Sequence, residues 1–329
     1  MSTIALIGAG AVGVRAARQL VDTAGLGRLI VANRDHEQAQ RLARAVGGDS
    51  VPVDRVLDES LDAVALAVPG AFATDLGRRA VERGIPLASC ADDPASIAGL
   101  TSLGALAFDR GVSVAVGCGL SPGISDVLAR HAADALDDPD EVQVARIGTA
   151  GPSCAASLRQ AMRADAREWY DGGWQIPHRQ GSQLVWFPEP IGARECEVIE
   201  GGIALVHSTV PEARDAAVRA EAPPRRTPRW SRQRRPGSDD FGGARIEVFG
   251  WRGGSRTSIV YGLIERPAVA AGTALAVTAA RFSGLLPLVA LRADDGGVRA
   301  LGATFEPPAF LAELAHRGVK VAAFEGSNA

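Results

Sequence analysis

Short apolar runs alternate with longer helical patterns along the first 120 residues. Between the runs, apolar positions recur at helical spacing and several stretches end in glycine. Continuous apolar runs of this length are typical of strands buried on both faces. The alternation predicts an α/β domain with a doubly wound parallel sheet and right-handed crossovers. The predicted strands are residues 4–8, 28–33, 51–53, 62–68, 85–90 and 112–117.

The pattern changes after residue 140, where short strands follow one another. It predicts a second, α+β domain with an antiparallel or mixed sheet. A helix is predicted at 154–170, and the apolar stretch 267–291, interrupted by Arg281 and Pro287, predicts a buried helix. The predicted strands are residues 141–148, 182–188, 195–202, 203–208, 244–250 and 256–265.

These patterns divide the chain into three parts. Residues 1–135 form the first domain, 136–285 the second, and 286–329 a C-terminal segment that packs back on the first. Residues 222–243 hold six arginines and four prolines without apolar periodicity. This composition predicts a mobile basic surface loop. The alternative is a lid or phosphate-binding arm with Trp230 as a stacking element.

Three glycines follow the first strand in the spacing G-x-G-x-x-G and open a helix. Gly8 suits a tight turn, Gly10 lets the backbone approach a pyrophosphate, and Gly13 lets the helix pack on the strand. The N–H groups at Ala11 and Val12, at the helix start, are expected to bind the phosphates. The motif therefore predicts a Rossmann-type domain that binds a nicotinamide dinucleotide.

The end of the second strand bears on which dinucleotide is bound. An acidic residue about 20 positions past the fingerprint accepts the ribose hydroxyl of NAD, whereas arginine suits the 2′-phosphate of NADP. Here Asn33 occupies that position and Arg34 follows it. The pair favours NADP, while Asp35 keeps NAD possible.

Other loops at the same sheet edge are expected to line the cofactor site. Val68 and Pro69 end the fourth strand, and Cys90 ends the fifth. Residues 117–133 repeat a glycine turn before a helix. There Ser121 is placed to cap the helix and Pro122 to begin it. Gly119 and Pro122 are therefore further candidates for contact with the cofactor.

Charge and composition exclude several classes of protein. The chain has 35 basic and 38 acidic residues, a net charge of −3, which gives no indication of nucleic-acid or membrane binding. Lys320 is the single lysine and lies far from any glycine-rich turn. A Schiff-base enzyme and a GxxxxGK phosphate loop are therefore disfavoured.

Cysteine usage and the amino terminus indicate the compartment. The four cysteines form no CxxC pair, which disfavours a zinc site or disulfide framework and fits a reducing environment. The start of the sequence lacks the basic flank of a signal peptide. We expect a cytoplasmic protein that acts on a small molecule and holds no metal.

Four segments carry a resemblance to a known family. Residues 7–13 (IGAGAVG), 31–35 (VANRD), 67–70 (AVPG) and above all 116–129 (VGCGLSPGISDVLA) are similar to the saccharopine dehydrogenase-like family. The ending at 308–326 resembles actinobacterial members of unassigned substrate. The resemblance implies a Rossmann domain, an inserted domain for substrate and dimerisation, and pyridine-nucleotide-dependent oxidoreduction at a C–N bond. It thus implies a homodimer.

The sequence departs from this family in two places. Ser121 stands where the family has aspartate, and Lys320 cannot match a catalytic lysine. Both departures argue against saccharopine itself as the substrate.

Reduction of an imine needs a proton source and cationic anchors for substrate carboxylates. His178, in a glycine-rich loop near Trp174, is the first candidate for the proton source. The alternatives are Tyr170, Tyr261 and Asp126, although pairing with Arg130 would also explain Asp126. His131, after the glycine turn, suits a structural role, and His207 ends a predicted strand. The candidate anchors in the second domain are Arg163, Arg167 and Arg194.

Two other functions stay open at this point. Cys118 precedes a helix, where a thiol pKa is lowered, so a thioester-forming semialdehyde dehydrogenase is an alternative. The substitution at Ser121 also allows a dinucleotide-binding sensor without turnover.

Overall fold

The computed structural model describes residues 1–177, 182–221, 241–293 and 295–327. Residues 324–327 are described by their backbone alone. The strands, numbered along the chain, are β1 (Ser2–Ile7), β2 (Leu26–Ala32), β3 (Asp49–Ser50), β4 (Ala63–Leu66), β5 (Leu87–Ser89), β6 (Ser113–Val116), β7 (Asp138–Ile147), β8 (Glu168–Tyr170), β9 (Gly173–Gln175), β10 (Gln183–Trp186), β11 (Ala193–Val198), β12 (Asp215–Glu221), β13 (Gly242–Arg252), β14 (Ser255–Glu265), β15 (Gly297–Ala300) and β16 (Val321–Ser327). The α-helices are α1 (Ala11–Val21), α2 (His36–Val46), α3 (Ala71–Glu82), α4 (Pro94–Thr101), α5 (Gly104–Asp109), α6 (Ile124–Ala133), α7 (Pro152–Ala161), α8 (Ile203–Thr209), α9 (Pro267–Phe282), α10 (Leu301–Thr304) and α11 (Pro307–His316).

The first sheet has the strand order β15-β6-β5-β4-β1-β2-β3 within the described ranges. Each neighbouring pair is parallel. The four residues from Ile4 to Ile7 in central β1 are fully buried, as expected for a strand covered on both faces. The predicted doubly wound parallel sheet is confirmed. Chain order reverses between β1 and β4, and this is the edge position at which such sheets bind ligands.

The second sheet is mixed and follows the order β10-β11-β12-β7-β13-β14-β16, with β8 and β9 attached beside β12. β7 pairs in parallel with β12 and antiparallel with β13, and β13 and β14 form a long antiparallel hairpin. The predicted second domain with a mixed sheet is confirmed.

Helix α9 connects the second sheet to the first. Thirteen of its sixteen residues are buried, which confirms the predicted buried helix. It packs against α1 and strands β4 and β5. The crossing with α1 is close, since a Cβ at Gly272 would lie 2.5 Å from the Arg15 Cβ. Among the described helices, none has both the length and the apolar character needed to cross a bilayer.

The C-terminal segment, predicted to pack back on the first domain, contributes to both sheets. Strand β15 pairs with β6 in the first sheet, and β16 pairs with β14 in the second. The chain therefore passes between its two sheets three times, through residues 117–137, through α9 and through residues 301–320.

Three predicted elements were wrong. Residues 203–208 form helix α8 rather than a strand, because a short apolar run fits a buried helix equally well. The helix predicted at 154–170 ends at Ala161, and residues 168–170 form β8. The strand predicted at 51–53 is instead the two-residue β3 at 49–50. Most of the basic segment, residues 222–240, lies outside the described residues.

Candidate functional site

The glycine turn joins the carboxyl end of β1 to α1 and lies against the end of β4. Gly8 has a φ of +113°, which favours glycine, and a Cβ there would overlap the Ala67 carbonyl. A Cβ at Gly13 would overlap the Gly8 carbonyl, so α1 lies directly on the turn. Gly10 differs, because a Cβ there would have no atom within 4 Å. Two glycines thus close the turn, and Gly10 leaves the space in front of α1 open.

A cavity of about 350 Å³, the cofactor cavity, lies in front of α1. Helix α1 begins at the wall of this cavity. The first N–H groups of a helix have no partner inside it, and the positive end of the helix dipole lies at the same place. These groups and the open space at Gly10 fit a diphosphate. The predicted cofactor-binding residues in its wall are Gly10, Ala11, Val12, Val68, Pro69 and Cys90.

The end of β2 is tied to the glycine turn by two amides. Asn33 Nδ2 donates to Gln38 Oε1 at 3.0 Å, and Gln38 Nε2 donates to the Ala9 carbonyl at 2.9 Å. Asp35 caps α2, since its Oδ1 accepts from the Gln38 N–H at 3.1 Å. The Asp35 carboxylate therefore has one oxygen bound to the first turn of α2. The Arg34 side chain beside it is exposed.

The turn after β6 holds a second group of predicted residues. The Ile124 N–H donates to the Gly119 carbonyl at 2.9 Å, and α6 begins only at Ile124 with Gly123 as its N-cap. The prediction that Ser121 caps this helix and Pro122 begins it was wrong. The chain enters the helix only after Gly123, whose φ of +135° is outside the helical range. Gly119 and Pro122 border a smaller chamber of about 40 Å³, the inner chamber.

The inner chamber adjoins the cofactor cavity. Both have Val12, Cys90, Asp92 and Cys154 in their walls. A dinucleotide held along α1 would therefore have one end beside the inner chamber. The two adjoining spaces together are the candidate active site.

Asp126 lies apart from both spaces. It is fully buried, and its carboxylate accepts from the Gly123 N–H at 3.2 Å and the Ser125 hydroxyl at 2.9 Å. Burial raises the pKa of Asp126 to about 7. The expected pair with Arg130 does not form, because that guanidinium contacts Asp134 at 2.8 Å and Glu212 at 3.0 Å.

The remaining histidine and tyrosine candidates that the structure describes are not brought to the site. His178 lies outside the described residues. Tyr170 is on β8 and is 53% exposed. His131 Nδ1 is hydrogen-bonded to the Tyr261 hydroxyl at 2.6 Å. His207, on α8, stacks on Trp169 with ring centroids 4.0 Å apart.

The arginines singled out from the sequence also lie elsewhere. Arg167 contacts Glu200 at 2.5 Å, Arg194 lies 3.6 Å from Glu221, and Arg163 is exposed. None of the three borders the cofactor cavity or the inner chamber.

Asp92 and Arg146, which are not among the residues predicted from the sequence, are the charged residues that border the inner chamber. Burial raises the pKa of Asp92, while the charge of Arg146 acts in the opposite direction. Arg146 is only 7% exposed. The feature of the sequence that could have indicated Arg146 is a single arginine among the apolar residues at the end of β7. No cluster that could hold a metal ion occurs among the residues with described positions.

Cys118 does not have the environment expected of a nucleophile. It is fully buried, and burial raises the pKa of its thiol to about 12 rather than lowering it. Its Sγ lies 3.5 Å from the Ala115 carbonyl, and α6 begins six residues further on. A thioester mechanism needs the thiolate, so the structure argues against this alternative.

This environment predicts an inert thiol. At pH 7.5 we expect iodoacetamide to leave Cys118 unmodified in the native protein and to label it fully in urea. A pKa near 12 lowers the thiolate fraction by about 10³-fold relative to a free cysteine. Peptide mapping by mass spectrometry measures the label. Native labelling as fast as labelling in urea would contradict the buried position.

Two comparisons of the sequence concern the amino-terminal part. A family model described as shikimate / quinate 5-dehydrogenase matches residues 1–68, which include β1 to β4. Glutamyl-tRNA reductase from Methanopyrus kandleri is 43% identical over 56 residues. That match covers 17% of this chain and 14% of the reductase. The likeness therefore concerns a short segment of each protein and not its whole length.

Solved structures match nearly the whole chain. The apo saccharopine dehydrogenase (L-Glu forming) from Saccharomyces cerevisiae has a TM-score of 0.73 at 15% identity, over 98% of this chain and 100% of that one. The two share a fold. GenD2 from gentamicin A biosynthesis, in complex with NAD, has a TM-score of 0.51 at 16% identity, over 100% and 97%. A meso-dapdh variant from Clostridium tetani E88 with DAP has a TM-score of 0.52 at 15% identity, over 92% of this chain and 94% of that one.

Proposed function

We propose that this protein is an NAD(P)-dependent oxidoreductase acting at a C–N bond of a small carboxylated amine or amino-acid conjugate. The observation that carries the proposal is the pair of adjoining spaces, a cavity at the open glycine turn and a chamber bordered by a carboxyl and a guanidinium. The likeness in fold to saccharopine dehydrogenase and to GenD2 with NAD supports it.

The residues that would hold the dinucleotide lie along the cofactor cavity. The N–H groups at the start of α1 would bind the diphosphate, with Gly10 leaving room for it. Pro69 and Cys90 would border the nicotinamide end, and Cys90 also borders the inner chamber. The bound cofactor supplies or accepts the hydride at the carbon of the C–N bond.

Asp92 would hold the proton at the substrate nitrogen. It borders both spaces, and its raised pKa retains a proton closer to neutral pH than an ordinary aspartate does. Reduction of an imine then takes this proton to nitrogen, and oxidation of an amine returns it. Asp92 is therefore the proton source that we propose.

NADP(H) is the proposed cofactor, with NAD possible. Asp35 uses its Oδ1 to cap α2, while exposed Arg34 suits a 2′-phosphate. For Arg34→Ala we expect the Kd for NADPH to rise about tenfold and that for NADH to stay unchanged. Fluorescence titration measures both, with Arg44→Ala on the last turn of α2 as the control. Equal effects on the two cofactors would contradict this role.

Turnover tests the reaction class. Purified protein with NADPH is offered imines formed from a panel of oxo acids and amines, and NADPH oxidation is followed by absorbance. We expect at least one oxo acid and amine pair to be reduced, with the N-alkylated amino acid identified by mass spectrometry. Binding of NADPH without turnover of any pair would instead favour the sensor.

A further inference from the structure

Both polar groups of the Ala9 backbone are held by side-chain amides. The Ala9 N–H donates to Asn33 Oδ1 at 3.4 Å, and the Ala9 carbonyl accepts from Gln38 Nε2 at 2.9 Å. Asn33 Nδ2 in turn donates to Gln38 Oε1 at 3.0 Å. Ala9, Asn33 and Gln38 thus form a closed ring of hydrogen bonds, the amide ring, which fastens the glycine turn to the end of β2 and to α2.

The amide ring fixes the direction in which the chain enters α1. A peptide group is planar and trans, so a contact that holds the Ala9 carbonyl also holds the Gly10 N–H on the opposite side. The Gly10 carbonyl accepts from the Val14 N–H at 2.9 Å. The Ala11 N–H belongs to the same peptide as that carbonyl and therefore points the other way, out of the end of the helix. The direction of the N–H groups proposed to bind the diphosphate thus depends on how Ala9 is held.

Packing does not hold this part of the turn in place of the amide ring. Gly10 has no side chain, and a Cβ there would meet no atom within 4 Å. Among the described residues, the Ala9 carbonyl accepts a hydrogen bond from Gln38 and from no other donor. Asn33 is anchored a second time, since its Nδ2 also donates to the Asp35 carbonyl at 3.2 Å. Gln38 is therefore the member of the ring whose loss frees the Ala9–Gly10 peptide.

Gln38 is also well placed to act on a bound ligand. It borders the cofactor cavity together with Gly10 and Ala11. Its own backbone is fixed, because its N–H donates to Asp35 Oδ1 at 3.1 Å at the start of α2. A rigid amide donor thus connects the wall of the cavity to the peptide that leads into α1.

We propose that Gln38 is a positioning residue for the cofactor, whose amide holds the Ala9–Gly10 peptide so that the N–H groups at the start of α1 face the diphosphate before the dinucleotide binds. This inference rests on the proposed dinucleotide binding. The diphosphate is common to NADPH and NADH, so Gln38 acts on both alike, whereas Arg34 acts on the 2′-phosphate of NADPH alone. Without the Gln38 amide, part of the binding free energy is spent on ordering the turn.

Fluorescence titration of the full chain with NADPH and NADH tests this role. Gln38→Met retains the length of the side chain and removes both of its hydrogen bonds in the amide ring. We expect the Kd for NADPH and the Kd for NADH to rise by the same factor, about tenfold. Gln40→Met, at an exposed position on α2, is the matched control and should change neither Kd.

The outcomes separate this inference from the function on which it rests. Failure of both dinucleotides to bind the wild type would refute the proposed function. Normal binding to the wild type combined with unchanged Kd values in Gln38→Met, whatever its thermal midpoint, would show that Gln38 has a structural role only and would overturn the inference. A loss confined to NADPH would overturn it too, because Gln38 would then act at the 2′-phosphate.

A second variant covers the case in which Gln38→Met does not fold. Gln38→Glu keeps the size of the side chain and can still accept from Asn33 Nδ2, but its carboxylate cannot donate to the Ala9 carbonyl. We expect it to weaken NADPH and NADH by at least the factor expected for Gln38→Met. Wild-type affinity for either dinucleotide in Gln38→Glu would contradict the proposed role.

Discussion

Gly10→Val should abolish tight dinucleotide binding and leave the fold intact. Gly10 has a φ of −78° and a ψ of −166°, a conformation that valine adopts, and a Cβ there meets no atom within 4 Å. The valine side chain would instead occupy the space reserved for the diphosphate. We expect the Kd for NADPH to rise by about 100-fold or more, because the backbone can no longer approach the phosphates.

Two other glycines provide matched variants. Gly104→Val places the same side chain in open space away from the cavity and should change neither binding nor the thermal midpoint. Gly13→Ala should lower the midpoint, because its Cβ would overlap the Gly8 carbonyl. Fluorescence titration and thermal unfolding measure all three variants. Unchanged NADPH affinity in Gly10→Val would refute the assignment of the diphosphate site.

Asp126→Asn should change the pH dependence of stability. The folded-state pKa of about 7 lies above the unfolded value of about 3.9. Below pH 4 the Asp126 carboxyl is protonated in both the folded and the unfolded state, so it does not reduce the stability of the wild type. Between pH 4 and 7 the unfolded state ionises first, so the wild type loses stability as pH rises. The full cost, about 4 kcal/mol for three pKa units, is reached above pH 7.

Urea unfolding at pH 5 and 7.5 measures this effect. We expect the free energy of unfolding of Asp126→Asn, relative to that of the wild type, to be about 2–4 kcal/mol larger (more stable) at pH 7.5 than at pH 5. The amide oxygen of the introduced asparagine can still accept from the Gly123 N–H, so the turn should persist. Asp109→Asn, on the exposed end of α5, is the control. Parallel pH curves for wild type and Asp126→Asn would contradict a buried, protonated carboxyl.

The first sheet could be predicted from the sequence because its strands are buried on both faces. A continuous apolar run such as residues 4–8, flanked by helical patterns, indicates a strand of a parallel sheet that is covered on both faces. Residues 203–208 show the limit, since the same kind of run forms α8 where it packs beneath the turn after β6, with Leu205 beside Gly117. Periodicity over six residues does not distinguish the two.

The site was predictable only where one local turn makes it. Gly10, Val12 and Pro69 follow strands of one parallel sheet, so their shared edge follows from the pattern. Arg146 ends β7 of the second sheet and Asp92 follows β5 of the first, 54 positions earlier, and both border the inner chamber. Such a pair depends on how the second sheet docks, which no local pattern encodes. The homodimer and the cytoplasmic location stay predictions.

A crystal structure of the protein with NADPH tests the central claim most directly. The account predicts diphosphate density against the N–H groups at the start of α1, with C4 of the nicotinamide facing the chamber that contains Asp92 and Arg146. Density for the cofactor elsewhere on the molecule, or its absence from crystals grown at millimolar NADPH, would contradict it.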